Sequence, residues 1–295
     1  MLKGLASRFA HRRADALHER GMACSDAGDE DGALANYLRA LELQPERAQT
    51  LYNVGLIHKY RQDWAKSLDF NLRAFRLRPD DEATCWNLGI AATALGDWET
   101  ARVAWIAAGV EIPDGEGPID GHFGRSCVRL DPDGEAEVVW VQRIDPVRAR
   151  ILNVPFLGGG YFYGDLMLHD GASTGVKVVD EREYSIFNAF TRVARSEYGT
   201  AVLALEAPSE TDVSQLGQAA DAEGLVTEDW TSGTYFVCKA CSEGLTHVEH
   251  EQVAVWNPNR EVGVAVHDEG ALHRVLSAWA DGGPGRNVEI VELIR

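Results

Sequence analysis

Two cysteines and two histidines fall within thirteen residues: Cys238, Cys241, His247 and His250. Zinc takes four nitrogen or sulfur ligands in a tetrahedron, and a Cys-x-x-Cys pair on a tight turn closes one side of it. His247 and His250 are three positions apart, so on a helical turn both imidazoles face the same way. Gly244 lets the chain fold back between the pairs, and Glu249 or Glu251 is placed to orient an imidazole as a hydrogen-bond acceptor. Four protein ligands close the coordination sphere, which suits a structural zinc. A catalytic zinc keeps one position for water, as it would if one histidine stood off the metal. Two further readings stay open. A redox dithiol would need a strand, a cysteine pair and a long helix, and Ser242, Glu243 and Gly244 make a poor helix start. The last is reduced thiols in a turn beside surface histidines, with no metal. Zinc in a structural role is the cofactor to expect.

Other polar clusters carry weaker signals. Asp165, His169 and Asp170 lie close together and, with Asp145 or Arg148, would form a polar site, since residues 165 and 169 of one strand share a face. The same residues make an ordinary strand-to-turn ending, and no catalytic residue is assigned. Gly158, Gly159 and Gly160 read as a hairpin turn, because no lysine or helix start follows in phosphate-loop fashion. The sequence holds no nucleophile elbow, kinase signature or dinucleotide fingerprint. Cys24, Cys85 and Cys127 stand alone, and the first two read as packing in helices.

The elements that must hold these residues differ along the chain. From residue 122 on, apolar alternation and short apolar runs predict strands at 138–142, 149–154, 164–168, 175–179, 201–206, 234–237, 261–266 and 288–294. Helices are expected at 213–222, started by Ser209 and early acids and ended by Gly224, and at 268–280. Strand–helix–strand thus occurs twice, which points to an acidic α+β domain of ferredoxin-like character. The stretch 139–170, through Asp145, Pro146, Val147 and Arg148 and on to Gly164, Asp165, Leu166 and His169, resembles a domain of uncharacterised bacterial repeat proteins. That resemblance brings no mechanism with it.

The first third of the chain is periodic. Gly21, Gly55 and Gly89 are spaced by 34 residues, as are Pro45, Pro79 and Pro113, Ala40, Ala74 and Ala108, and Ala33, Ser67 and Ala101. Over residues 14–113 the sequence resembles three tetratricopeptide repeats, each a pair of antiparallel helices. The glycines let the paired helices approach, the small residues match them from the second helix, and the prolines stop that helix. Turn residues at Gly28–Asp29, Gln62–Asp63 and Gly96–Asp97 separate the helices. A large side chain follows on the second helix, Tyr37 and Trp105. The middle repeat has Asn71 there, with Phe70 expected to fill the gap. Residues 1–13 are expected to form a basic N-terminal capping helix with Leu2, Leu5, Ala6 and Phe9 on one face, or else an arm for a partner or membrane. Residues 114–121 read as a linker to the domain at 122–295.

The resemblance implies a concave face lined by the first helix of each repeat. In order, its positions are Asp15, His18, Glu19, Met22 and Ser25; Gln49, Tyr52, Asn53, Leu56 and Lys59; and Ala83, Trp86, Asn87, Ile90 and Thr93. Asn53 and Asn87 are equivalent, and an amide hydrogen-bonds both edges of a peptide backbone. Tyr52, Leu56, Trp86 and Ile90 form a stripe suited to an apolar anchor. His18 and Met22 stand where chaperone-binding members need Lys and Asn to clamp a terminal carboxylate, so no chaperone-tail binder is expected. The same stripe would equally pack against the chain's own second domain.

Charge narrows the partner. The 295 residues carry 46 acidic and 28 basic side chains, a net charge of −18, and 30 of those acids lie beyond residue 113. That argues against nucleic acid and anionic membranes, which need a basic face. No apolar run is long enough to cross a bilayer, and residues 1–13 lack the pattern of a secretory signal. Five cysteines fit a reducing cytoplasm better than a disulfide scaffold. The expected architecture is an N-terminal all-α superhelix of tetratricopeptide repeats followed by an α+β domain. The expected function is a non-enzymatic adaptor binding a protein or peptide. The alternatives are a metal-assisted hydrolase or transferase recruited by its repeats, and an acidic inhibitory protein masking a basic partner.

Overall fold

The computed structural model describes residues 2–132, 134, 136–233 and 256–295, with side chains from residue 9 onward. Cys238, Cys241, His247 and His250, and the strand expected at 234–237, lie outside the described residues. The chain divides into two compact units. One runs from the first helix to Gly121 and includes Asp145–Val147; the other holds His122–Ile144 and Arg148–Arg295.

The first unit is six helices: α1 (Leu2–Asp26), α2 (Glu30–Leu43), α3 (Ala48–Tyr60), α4 (Trp64–Leu77), α5 (Glu82–Leu95) and α6 (Trp98–Ala107). Four of them start on an aspartate. The side chains of Asp29, Asp63, Asp81 and Asp97 accept from the backbone N–H groups of Gly32, Lys66, Thr84 and Thr100, which would otherwise be unpaired. The helices pair as α1/α2, α3/α4 and α5/α6, the arrangement of three tetratricopeptide repeats. The repeating glycines show why. A Cβ on Gly21 would stand 2.4 Å from the Tyr37 ring, one on Gly55 2.5 Å from the Asn71 amide, and one on Gly89 2.7 Å from the Trp105 indole. No side chain fits those gaps. Ala33, Ser67 and Ala101 are fully buried in the same hairpins.

Phe70 does not take the place expected of it. Asn71 itself lies over Gly55 and donates to the Ser67 carbonyl at 2.8 Å, while Phe70 stacks on His58 with ring centroids 5.9 Å apart. Residues 2–13 are continuous with the first helix of repeat one, since α1 is unbroken to Asp26. After α6 the chain is pinned. Arg102 donates to the carbonyls of Pro113 at 2.6 Å and Gly117 at 3.1 Å, and Ile119 is fully buried.

The second unit contains a barrel and a sheet. Strands β1 (Arg125–Leu130), β2 (Glu137–Arg143), β3 (Arg148–Ile151), β4 (Leu166–Val179) and β5 (Arg182–Ala194) close in sequence order. Four pairs are antiparallel and β1 closes on β5 in parallel, as an odd number of meandering strands requires. Val128, Leu130, Val139, Val141, Ala149, Ile151, Met167 and Phe187 share its core. The barrel was not foreseen. The strands expected at 164–168 and 175–179 are one strand, β4, whose register against β5 shifts four times between Leu166 and Gly175.

The sheet is β6 (Gly199–Glu206), β7 (Val226–Asp229), β8 (Asn259–Val266) and β9 (Asn287–Ile294), in the order β7-β8-β6-β9. Helices α7 (Glu210–Ala222) and α9 (Glu269–Asp281) pack Leu216, Ala220, Leu272, Val275, Leu276 and Trp279 against Ala201, Leu203, Leu205, Val262 and Val264. A short helix, α8 (Trp230–Gly233), follows β7. This is the ferredoxin-like order that the repeated strand–helix–strand pattern suggested. α7 begins with a capping box in which Ser209 and Asp212 satisfy each other's backbone donors.

Candidate functional site

The six residues expected to read a peptide fall on α3 and α5. On α3, Tyr52, Asn53 and Leu56 are half-buried. The Asn53 side chain hydrogen-bonds the Tyr37 hydroxyl, tying repeat two to the second helix of repeat one. On α5, Trp86 is half-buried and meets Trp105 edge-on, with centroids 5.1 Å apart. Asn87 and Ile90 are buried, at 5% and 1% exposure. Tyr52, Asn53, Leu56 and Trp86 therefore keep accessible surface, and Asn87 and Ile90 keep almost none.

The two repeat junctions differ chemically. Tyr37 reaches Asn53 across the first. At the second the equivalent pair is Asn71 and Asn87, and Asn71 Oδ1 and Asn87 Nδ2 have no hydrogen-bond partner among the described residues. A shorter side chain at the tyrosine position leaves both polar atoms unsatisfied, an unfavourable state for buried groups.

On α1, His18 is buried. Its Nδ1 is 2.9 Å from Thr50 Oγ1, and its ring lies 5.5 Å from that of Tyr37. Burial, aided by the nearby Arg47 cation, holds it below the ordinary histidine range, so it is neutral at pH 7. Arg47 also pairs with Asp15 at 2.6 Å, a second link from α1 to the start of α3. His18 thus joins helices, while Met22 remains 37% exposed.

The polar residues expected to form a site around Asp165 and His169 are consumed by structure. Asp165 is fully buried and accepts from Phe162 N at 3.1 Å, Ser196 N at 2.7 Å and the Arg192 guanidinium at 3.1 Å. Its oxygens hold a turn and an ion pair. His169 is fully buried, stacked 4.8 Å from Phe187, with Nδ1 2.7 Å from the Asp170 carbonyl. Burial pushes it down to about 4, so it too is neutral. Asp145 closes a turn by accepting from Val147 N at 2.8 Å, and Arg148 and Asp170 are buried. Gly158 and Gly159 lie in a single 3-10 turn that Gly160 ends at φ 67°. The Gly160 carbonyl accepts from Arg192 at 2.7 Å, which fits a structural turn. Cys127 sits in the barrel wall, its thiol pushed up to about 11 by burial, and is unreactive. Among the described residues no group of three or more His, Cys, Asp or Glu is arranged to hold a metal.

Sequence reasoning missed two half-buried carboxylates, Glu137 on β2 and Glu228 on β7. They are ninety-one positions apart in the sequence, and no motif joins them. It also missed Arg192 and Ser196, the partners that fix Asp165.

No protein-family model matches this chain, and no curated protein matches its sequence. Solved structures of tetratricopeptide repeat domains are similar to part of it. One is the second TPR of Spaghetti (RPAP3) bound to HSP90 peptide SRMEEVD, with 18% identity and a TM-score of 0.34 over 36% of this chain and 91% of that one. Another is the first TPR of Spaghetti, bound to the same peptide, with 19% identity and a TM-score of 0.31 over 33% of this chain and 78% of that one. The Arabidopsis OM64 TPR domain has 15% identity and a TM-score of 0.31 over 35% of this chain and 88% of that one.

Proposed function

We propose that this chain, whose first six helices are three tetratricopeptide repeats, is an adaptor that binds an extended peptide segment of a partner protein along α3 and α5. The observation that carries this reading is the pair Tyr52 and Trp86. They are aromatic side chains at equivalent positions one repeat apart, both keeping accessible surface, with Leu56 beside them. Aromatic and aliphatic anchors of this kind dominate the energy of peptide interfaces. The ligand it suits has an apolar anchor side chain rather than an acidic terminus. His18, at a clamp position, is buried against Thr50, and the chain's net charge of −18 repels carboxylates.

The test is selection of peptides from a random library on the full chain, followed by dissociation constants for the selected sequences. Trp86→Ala and Tyr52→Ala should each weaken binding about tenfold or more, the loss expected of an anchor. Val178→Ser, an exposed change on β4, should leave it unaltered. Selected peptides that bind the Trp86 and Tyr52 variants as tightly as the parent would overturn the reading.

Cys238, Cys241, His247 and His250 complete the proposal as ligands of one structural zinc. Metal analysis of the purified chain should find one zinc, lost in Cys238→Ser; a metal-free parent would refute it. Nucleic acid and membranes are not partners in this reading, and the cytoplasm is its compartment. No described helix is long and apolar enough to cross a membrane. The acidic surface beyond residue 113 favours a second reading, in which that unit masks a basic protein; its binding would collapse with salt. A metal-assisted enzyme has less support, because Asp165 and His169, the acid and base it would use, are fully buried.

A further inference from the structure

Within the second unit, one short strap is held by both the barrel and the sheet. Residues 152–156 leave β3, and their backbone is held from both sides. Leu152 N donates to the Trp140 carbonyl at 2.8 Å, and Asn153 Oδ1 accepts from Trp140 N. Those contacts belong to the barrel. From the sheet, Glu228 on β7 accepts Asn153 Nδ2 at 2.7 Å on one oxygen and Val154 N at 2.8 Å on the other. Trp230 Nε1 donates to the Val154 carbonyl at 2.9 Å, and the Trp230 ring lies 5.0 Å from that of Phe156. From the barrel again, Glu137 on β2 accepts Phe156 N, at 3.2 and 3.3 Å from its two oxygens. The strap therefore ends in two carboxylates, one from each half, gripping backbone donors two residues apart.

We infer that Glu137 and Glu228 form a proton-linked joint: with one proton on the pair the strap is clamped to both halves, and its loss loosens the clamp. Two partly desolvated carboxylates of like charge repel, and a proton on one relieves the repulsion. Among the described residues, the charged groups acting on the pair are Glu228, which acts on Glu137, and Lys177 of β4, which acts on Glu228. Lys177 lies 4.8 Å over the Trp140 ring. Burial raises Glu228 as well, but the two N–H donors that it holds, and then Lys177, oppose that rise. Glu137 has one donor and faces the Glu228 charge, so the proton resides on Glu137. Burial, with the Glu228 charge adding to it, pushes Glu137 up to about 7. A protonated Glu137 still accepts from Phe156 N through its carbonyl oxygen.

The sign follows from linkage. The folded state holds this proton more tightly than the unfolded chain, whose glutamate titrates near 4.5. The stabilisation is complete below that value and is lost as pH rises through about 7. The histidines held low by burial, His18, His58 and His169, act in the opposite sense and below pH 6.5, so residue-specific readouts between pH 6.5 and 8 separate the joint from them.

The experiment is a carboxyl-carbon NMR titration of the full chain from pH 5 to 8.5, with hydrogen exchange of the Val154 and Phe156 amides corrected for intrinsic rate. The Glu137 carboxyl should titrate near neutral pH, and protection of both amides should fall about tenfold across that step. Glu137→Gln should abolish the pH dependence of protection, and Glu228→Gln should move the Glu137 midpoint down. A Glu137 carboxyl that titrates in the ordinary glutamate range contradicts the joint, and needs only the parent protein to be seen. Amide protection that keeps its pH dependence in Glu137→Gln contradicts it as well.

Discussion

The helical array and the barrel-and-sheet unit secure their polar and close-packed positions differently. In the array one contact is made three times: Gly21 under Tyr37, Gly55 under Asn71 and Gly89 under Trp105. Each copy serves as a control for the others. Among the described residues of the second unit, the polar contacts do not repeat. Asp165 draws Phe162, Arg192 and Ser196 together, and Glu137 and Glu228 share one strap. A repeated contact tolerates variation, as Asn71 in the tyrosine position shows. A unique buried contact has nothing to replace it.

The largest expected effect breaks a unique contact. Asp165→Ala leaves the Phe162 and Ser196 backbone donors without their acceptor and removes one partner of Arg192, and should destabilise the second unit by about 4 kcal/mol, chiefly from the donors left unpaired. Denaturant unfolding followed by circular dichroism should show an earlier sheet transition with the helical transition unmoved. A single shifted transition would mean the units do not unfold separately.

Next is the pH response of His169. Its folded value of about 4 lies below the ordinary 6.5, so the unfolded chain takes up a proton more readily. Stability should therefore fall as pH drops from 6.5 to 4, by about 3 kcal/mol in total. His169→Phe, which cannot take up a proton, should flatten that limb of the stability–pH curve. An unchanged limb would assign the acid sensitivity to other groups, His18 and His58 first.

The smallest effect repairs a repeated contact. Asn71→Tyr restores the residue type of the first repeat and places a hydroxyl toward Asn87, as Tyr37 reaches Asn53. A gain of about 1 kcal/mol is expected for one buried hydrogen bond regained. A loss would mean that Asn71 and its bonds to Ser67 are better adapted to Gly55 than the repeat pattern implies.

The contrast also explains what could be read from the sequence. The array was legible because its contacts recur every 34 residues, so glycine, small residue and proline columns appear without any structure. The ferredoxin-like half was legible through β6, α7, β8 and α9, where apolar alternation and helix caps are strong. The barrel was not. β1 carries Arg125 and Arg129 yet is buried along nearly its whole length, so it shows no alternation. β4 passes through Gly171, Ser173 and Thr174 with shifting register, which reads as a turn between two strands. β7, Val226–Asp229, is too short and polar to register as a strand. At the candidate site the helix positions were readable, but the engagement of Asn53 with Tyr37 depends on how two repeats stack. The partners of Asp165 lie 27 and 31 residues away, and no local pattern announces them.

The claim on which the account rests is that α3 and α5 receive a peptide through Tyr52 and Trp86. The most direct measurement is the dissociation constant of a library-selected peptide for the parent chain and for Trp86→Ala, with circular dichroism to confirm that the helices persist. The account predicts micromolar binding by the parent and at least about a tenfold loss in the variant. Equal affinity for the two folded proteins would contradict it.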